Sequence, residues 1–341
     1  MVVDLRSLPE NISRVFYFLT IFMNSSLIYL TAFHTKQIAG TYRKMIITFA
    51  LIGISFSTLD ILMRPLFHSF NGCVLYFTLG GSFRNNKRAT EIGLLAYCGF
   101  YSAILAFLAV QFAYRTCVVA IPKFAKCFSG WKYLLWILYT SICGVVWSLA
   151  TCLIYPDEQT NSYLRAEILS NYGVEVKSVA NFALLAYNDE TDNKKIRWNS
   201  VACIGTVMVL LTFQYGVMLA SGCIMYRRIH GTTSGTSSQH ERLQRQFFVA
   251  LIFQVLAPTI FFQLPAFFLL TAPFYDLKIS FHSRIVIYGF SAYPLVDTLI
   301  VLNVITEYKH AFKHCIEMMG GYTPRINQPT ALAVTQSLDQ T

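Results

Sequence analysis

Long apolar stretches separated by short polar ones recur seven times along the chain, at about 12–33, 45–67, 93–114, 133–155, 199–226, 246–271 and 285–306. Each is about 20 residues long, the length at which a helix crosses a hydrocarbon core of about 30 Å. Lipid offers the backbone no hydrogen-bond partner, so each stretch must be helical unless it alternates apolar and polar like a barrel strand. No such alternation is visible. The pattern therefore predicts an all-α membrane protein, a seven-transmembrane helix bundle. Ser291, Pro294, Asp297 and Asn303 interrupt the seventh stretch, which predicts a helix facing protein and not lipid.

Beyond the seventh stretch, Tyr308, Phe312, Cys315, Ile316 and Met319 share one helical face, with Lys309, Lys313 and Glu317 elsewhere, before Gly320-Gly321. This predicts a short amphipathic helix, lying along the membrane surface or packed on the protein. From Tyr322, Pro324, Pro329 and scattered polar residues predict no fixed structure. The chain thus divides into a seven-helix domain over 1–313 and, over 314–341, the end of that helix and a flexible tail. Segment 231–238 has linker composition. Segment 156–198 is long, carries seven acids, and is suited to cover part of a pocket.

Composition strengthens this picture. The 341 residues are 55% hydrophobic and 13% charged, with mean hydropathy +0.49, where soluble domains carry roughly a quarter charged residues. The net charge of +10 reads as basic loops facing anionic lipid and not as a nucleic-acid surface. With the N-terminus outside, the inner loops hold eleven Lys and Arg in 48 residues, against ten in 81 for the outer loops. That bias sets the N-terminus outside by the positive-inside rule. Asn11-Ile12-Ser13 is a glycosylation sequon, a short motif that adds little. The first stretch follows Asp4, Arg6, Pro9, Glu10 and Arg14 without a clear cleavage site, so it predicts an uncleaved span that doubles as the targeting signal.

The sequence holds no HExxH, GxSxG, phosphate-binding Gly-rich loop with Lys, or paired Cys/His metal spacing. No enzyme, cofactor or metal is expected. Most of the nine cysteines sit in or beside apolar stretches and read as packing residues. Ionisable residues within spans are expensive and draw attention. Asp60, Arg64 and His68 are spaced by four, which predicts one helix face and a local ion pair, either a polar switch or a structural pair near the outer surface. Tyr293-Pro294 and Asp297 predict a hinge or a fixed kink, and Pro258 and Pro265, with Gln254 and Gln263, raise the same choice in the sixth span. Arg115 ends the third span as an interface anchor, unless family context gives it another role.

These blocks, in their order and spacing, give that context. Asp60-Ile-Leu-Met-Arg-Pro65-Leu-Phe-His68-Ser69, Gln111-Phe-Ala-Tyr114-Arg115, Leu243-Gln-Arg-Gln-Phe with Gln254 and Pro258, and Tyr293-Pro294-Leu-Val-Asp297 resemble the nematode serpentine seven-transmembrane chemoreceptors of the Str type, over about 10–313. The resemblance implies a G-protein-coupled receptor fold, an N-terminus outside, and a place in the plasma membrane of sensory cilia. It also implies an odorant-like small-molecule ligand and a heterotrimeric G protein as partner. Arg115 stands where rhodopsin-like receptors keep an arginine, but Tyr114 replaces their acid, so any lock needs another partner. Their Asn-Pro-x-x-Tyr pattern is missing. Segment 156–198 has no cysteine, so no bridge to it is expected; Cys98 would pair with Cys73, Cys152, Cys203 or nothing.

On this reading a ligand bound in the outer half shifts the bundle toward a state whose inner ends open to the G protein. Inward positions among Tyr101, Ser102, Leu105, Gln263, Phe267 and Tyr288 are the pocket candidates, or simple packing residues. Arg115, Arg227, Arg228, Arg242 and Arg245 are the coupling candidates, or lipid-facing charges. A transporter would need an internal repeat, which the two halves do not show, and an odorant channel would place the N-terminus inside.

Overall fold

The computed structural model describes residues 7–34, 40–83, 85–190, 193–231, 238–275, 281–282 and 284–319. In chain order these form α1 (Ser7–Phe33), α2 (Gly40–Met63), β1 (Leu66–Phe70), β2 (Cys73–Phe77), α3 (Lys87–Ala120), a one-turn α4 (Pro122–Ala125) and α5 (Lys132–Cys152). Then follow α6 (Glu158–Tyr172), β3 (Asn181–Leu185), β4 (Tyr187–Glu190), β5 (Asn193–Ile196), α7 (Trp198–Gly231), α8 (Ser238–Pro258), α9 (Leu264–Thr271), β6 (Phe281–His282), α10 (Arg284–Val304) and α11 (Thr306–Met319). Among the described residues, seven helices are long and apolar enough to cross a membrane: α1, α2, α3, α5, α7, α8 with α9, and α10. The centre is α3, whose spanning window is 67% buried against 22% for the peripheral α7.

The second crossing is shorter than its apolar stretch. Pro65 has no N–H to donate and disfavours helical backbone at the residue before it. Arg64 instead turns to φ +48, and its N–H caps α2 by donating to Asp60 O at 2.8 Å. The expectation that Asp60, Arg64 and His68 share a helix face is therefore corrected. Asp60 is buried in α2, Arg64 is exposed just past its end, and His68 is buried in β1.

The chain beyond Pro65 builds a four-stranded antiparallel sheet, in the order β3-β2-β1-β6, across one end of the bundle. Alternate β2 side chains point to opposite sides. Cys73, Leu75 and Phe77 pack with Leu164 and Ile168 of α6, whereas Tyr76 joins the core of the bundle. A strand buried on both faces has no polar alternation, so its residues read as one apolar run.

Helix α6 is tied down at its start. Asp157 accepts from Thr160 N at 2.9 Å and Thr160 Oγ1 at 2.7 Å, and it pairs with Arg197. Burial pushes the Asp157 carboxyl up, but the Thr160 hydrogen bonds and the Arg197 charge outweigh that and hold it below the usual carboxylate range. Its contribution is therefore full above the ordinary carboxylate pKa and is lost as the pH falls through the lower folded-state value. Hydrogen exchange of residues 158–172 should rise in acid over that range, and Asp157→Asn should produce the same rise at neutral pH. Unchanged exchange in the variant would remove the cap from this account.

Several expectations fall outside the described residues: the linker composition over 232–237, the tail over 320–341, and the side chains of Cys315, Ile316 and Met319. The described part of α11 docks back on the bundle, with Tyr308 fully buried and its hydroxyl 2.9 Å from Thr31 Oγ1 of α1. Asn11 is exposed in the first turns of α1.

Candidate functional site

Directly beneath the sheet lies a cavity of about 410 Å³. Its roof is Phe67, Val74, Tyr76 and Leu184, from β1, β2 and β3. One wall is α3 and α5, through Tyr97, Cys98, Tyr101 and Trp147; the facing wall is α7 and α9. Phe290 of α10 closes the floor, stacked on Phe262 at 4.8 Å, with Tyr101 edge-on to Phe290 at 5.0 Å. The lining contains aromatic and aliphatic groups, Thr151, Thr212, two thiols and Gln263, and no charged side chain among the described residues.

Two polar groups in this wall stand out. Tyr101 Oη and Gln263 Nε2 are buried and face one another, and beyond that facing contact neither has a hydrogen-bond partner among the described residues. A buried donor without a partner costs about 1–3 kcal/mol. Gln263 is placed by a π-helical turn, Thr259–Gln263, between Pro258 and Pro265. Such turns accommodate residues that disturb the regular helical bonding. Tyr215 Oη, 2.9 Å from Thr259 Oγ1, joins this turn to α7.

Of the sequence-derived pocket positions, Tyr101, Gln263 and Phe267 line the cavity. Ser102 faces the other way and donates to Cys143 O of α5 at 3.2 Å. Leu105 is fully buried in the helix core, and Tyr288 is half-buried outside the lining. The sheet residues, Tyr97, Trp147, Phe290 and the α7 face were missed. On α7 the signal was present: Cys203, Val207, Leu211 and Tyr215 recur every four residues.

Below the cavity the polar residues of the spans pair across helices. Asp60 accepts from Tyr97 Oη at 3.0 Å and from Ser291 Oγ at 2.5 Å, joining α2, α3 and α10. Asp297 accepts from Gln254 Nε2 at 2.8 Å, joining α10 to α8. Asn24 Nδ2 donates to Pro294 O at 3.4 Å, and Thr298 Oγ1 lies 2.9 Å from Asn24 Oδ1, so α1 braces the proline-bearing turn of α10. Tyr293 Oη, near Asp297 and Tyr101, has no hydrogen-bond partner among the described residues.

At the end opposite the sheet, Arg115 is 5% exposed, far from a lipid-facing anchor. Its guanidinium carbon sits 3.4 Å from the Tyr42 ring centroid and 3.7 Å from that of Phe247, and Nη1 donates to Gln244 Oε1 at 3.1 Å. One side chain thus joins α2, α3 and α8. Arg227, Arg228, Arg242 and Arg245 are exposed around the same end.

The chain matches, over residues 9–313, the family described as serpentine type 7TM GPCR chemoreceptor Str. It belongs to that family. The receptor is 38% identical over 316 residues to the G-protein coupled receptor str-33 of Caenorhabditis elegans, covering 91% of each chain. It is 24% identical to Serpentine receptor class r-10 of the same organism, over 79% of this chain and 80% of that one. The crystal structure of squid rhodopsin aligns with TM-score 0.49 and 12% identity, over 91% of this chain and 85% of that one. In the receptor, the Gln244 amide and the Tyr42 and Phe247 rings surround the arginine that follows Tyr114. Cys73, Cys98, Cys152 and Cys203 are free thiols.

Proposed function

We propose that this receptor detects a small environmental molecule in the cavity beneath the sheet and relays its binding to a heterotrimeric G protein at the Arg115 end. The sheet end then faces outside and the Arg115 end the cytoplasm, in the plasma membrane of a sensory cell. The observation that carries the reading is the placement of two unlike sites at opposite ends of one bundle. Beneath the sheet is a cavity with two buried polar groups, Tyr101 Oη and Gln263 Nε2, that face only one another among the described residues. At the other end is a buried cation that joins three helices. The excess of basic residues in the loops of the Arg115 end supports the orientation.

The element suited to connect the sites is the sixth crossing. A ligand touching Gln263 and Phe267 bears on the π turn between two prolines, and the same crossing carries Gln244 at its far end. A ligand that prefers one arrangement of this crossing shifts the population toward it.

A panel of odorants applied to cells expressing the receptor with tagged termini tests the reading. Ligand-evoked second-messenger signalling is expected, with the N-terminal tag reached from outside intact cells. Losing one hydrogen bond to a ligand costs about 0.5–1.5 kcal/mol, so Gln263→Leu should weaken potency by about two- to tenfold. Tyr288→Phe, outside the lining, should leave it unchanged. Potency that ignores Gln263→Leu and also ignores filling of the cavity by Ala266→Trp would move the ligand elsewhere.

A further inference from the structure

The walls of the cavity differ in what lies behind them. At the sheet end the lining side chains are sealed: Val74 is 2%, Tyr76 4% and Leu184 1% exposed. On the flank between α7 and α9 the lining is also the outer surface of the bundle. Leu264 is 50% and Phe267 47% exposed, and Thr212 is exposed opposite them on α7. The two helices that form this flank hardly touch. In a multi-pass membrane protein that surface borders lipid.

We infer that the cavity is loaded sideways from the bilayer, through the gap between α7 and α9, and that its ligand is a neutral, lipophilic molecule with one hydrogen-bond acceptor. The inference rests on the cavity reading above and adds the route and the ligand class. Among the described residues no charged side chain lines the cavity, so an ionic group would lose its hydration with nothing there to replace it. A charged molecule would also meet a high barrier at this depth in the bilayer. Gln263 Nε2, which faces only Tyr101 Oη, has an N–H left to offer an acceptor such as a carbonyl oxygen, while the rest of the lining is aromatic and aliphatic but for Thr151, Thr212 and two thiols. Thr212, Leu264 and Phe267 form the rim of the gap, and Tyr101 and Gln263 form the seat behind it.

The test uses the full-length receptor in lipid nanodiscs, with unbranched methyl ketones of increasing chain length and the matched carboxylates as probes. Binding is followed in stopped flow by tryptophan fluorescence, Trp147 lying in the wall. Ketones should bind and carboxylates should not, and Gln263→Leu should weaken ketone binding by about two- to tenfold. Association should quicken with the probe's partitioning into the bilayer. Thr212→Trp, which narrows the rim, should slow the approach to binding and the release of bound ketone, with association slowed by about tenfold whatever the lining change does to Kd. Phe267→Ala should quicken both, so the route is tested in two opposite directions.

Ketone binding whose rates ignore partitioning and both rim variants would overturn the lateral route while leaving the cavity reading intact. Carboxylates that bind as well as ketones, or ketones that fail to bind, would overturn the ligand class. The cavity reading itself falls only if Ala266→Trp also leaves odorant-evoked signalling in cells untouched.

Discussion

Arg115→Ala is expected to abolish ligand-evoked signalling while surface expression persists, and Gln244→Ala is expected to raise signalling without any ligand. The two outcomes differ because the contacts differ. Arg115 holds α8 through one charge-assisted hydrogen bond to Gln244 and through the Phe247 ring, and it holds α2 through Tyr42. A hydrogen bond to a charged group contributes about 1.5–3 kcal/mol, and a desolvated cation over an aromatic ring about 2 kcal/mol or more. Removing the Gln244 amide alone loosens α8 and leaves the arginine in place. A loss of about 1.5–3 kcal/mol shifts a two-state balance by about ten- to a hundredfold, enough to turn a minor open state into a measurable one. Beyond Gln244, the described residues hold the guanidinium through the Tyr42 and Phe247 rings, so an opened crossing would present a cation ready to meet the G protein. Alanine at 115 removes both the clamp and that cation. Second-messenger levels with and without an active odorant, normalised to surface tag, decide the matter. A ligand response unchanged by Arg115→Ala would remove the residue from coupling, and a fall in basal signalling in Gln244→Ala would show that the amide supports the open state instead.

The seven crossings were legible because apolar length is a property of the chain in one dimension. What ends a crossing was less so: the apolar run through residue 67 hid the stop at Pro65, and with it the separation of Asp60 from Arg64 and His68. The sheet was hidden for a related reason. Cys73-Val-Leu-Tyr-Phe77 is buried on both faces and reads like a piece of span, although the Asn71-Gly72 pair before it is a strong hairpin signal, and Asn71 takes φ +46 there. Three of the six pocket positions line the cavity, and the others stand apart from it by rotation or depth. Ser102 is one residue from Tyr101, about 100° around the helix, and meets α5; Leu105 lies one turn deeper, where core packing has closed over it. The partner of Arg115 stands 129 residues away in sequence, in a block visible from the start. Its contact depends on how α3 and α8 lean together, which no local pattern states.

That lean begins with the approach of α5 to α3, and Gly144→Leu is expected to prevent the receptor from reaching its folded state. Helices in lipid gain nothing from hiding apolar surface from one another, so close packing and interhelical hydrogen bonds hold them. Gly99 and Gly144 allow the approach: a Cβ at 144 would lie 2.8 Å from Gly99 O, and one at 99 would lie 2.6 Å from Ser148 Oγ and 3.0 Å from Gly144 O. Two of these obstacles are backbone atoms and cannot rotate away. Ser148 Oγ donates to Leu95 O at 2.8 Å and Ser102 Oγ to Cys143 O at 3.2 Å, bonds that survive only at this spacing. Overpacking typically costs about 1–3 kcal/mol, and here it would also break both hydrogen bonds, each worth about 1 kcal/mol. The damage would reach the cavity, because Tyr101 of α3 meets Trp147 of α5 edge-on at 5.7 Å within its wall. Gly205, on the outer face of α7, has nothing within 4 Å of a built Cβ, so Gly205→Leu adds the same side chain without the collision. Thermal melting of the purified receptors and surface expression should rank Gly205→Leu near wild type, Gly144→Ala below it, and Gly144→Leu lowest or absent. Equal stability of the two leucine variants would mean that α3 and α5 do not pack at this distance, and the cavity wall they share would have to be redrawn.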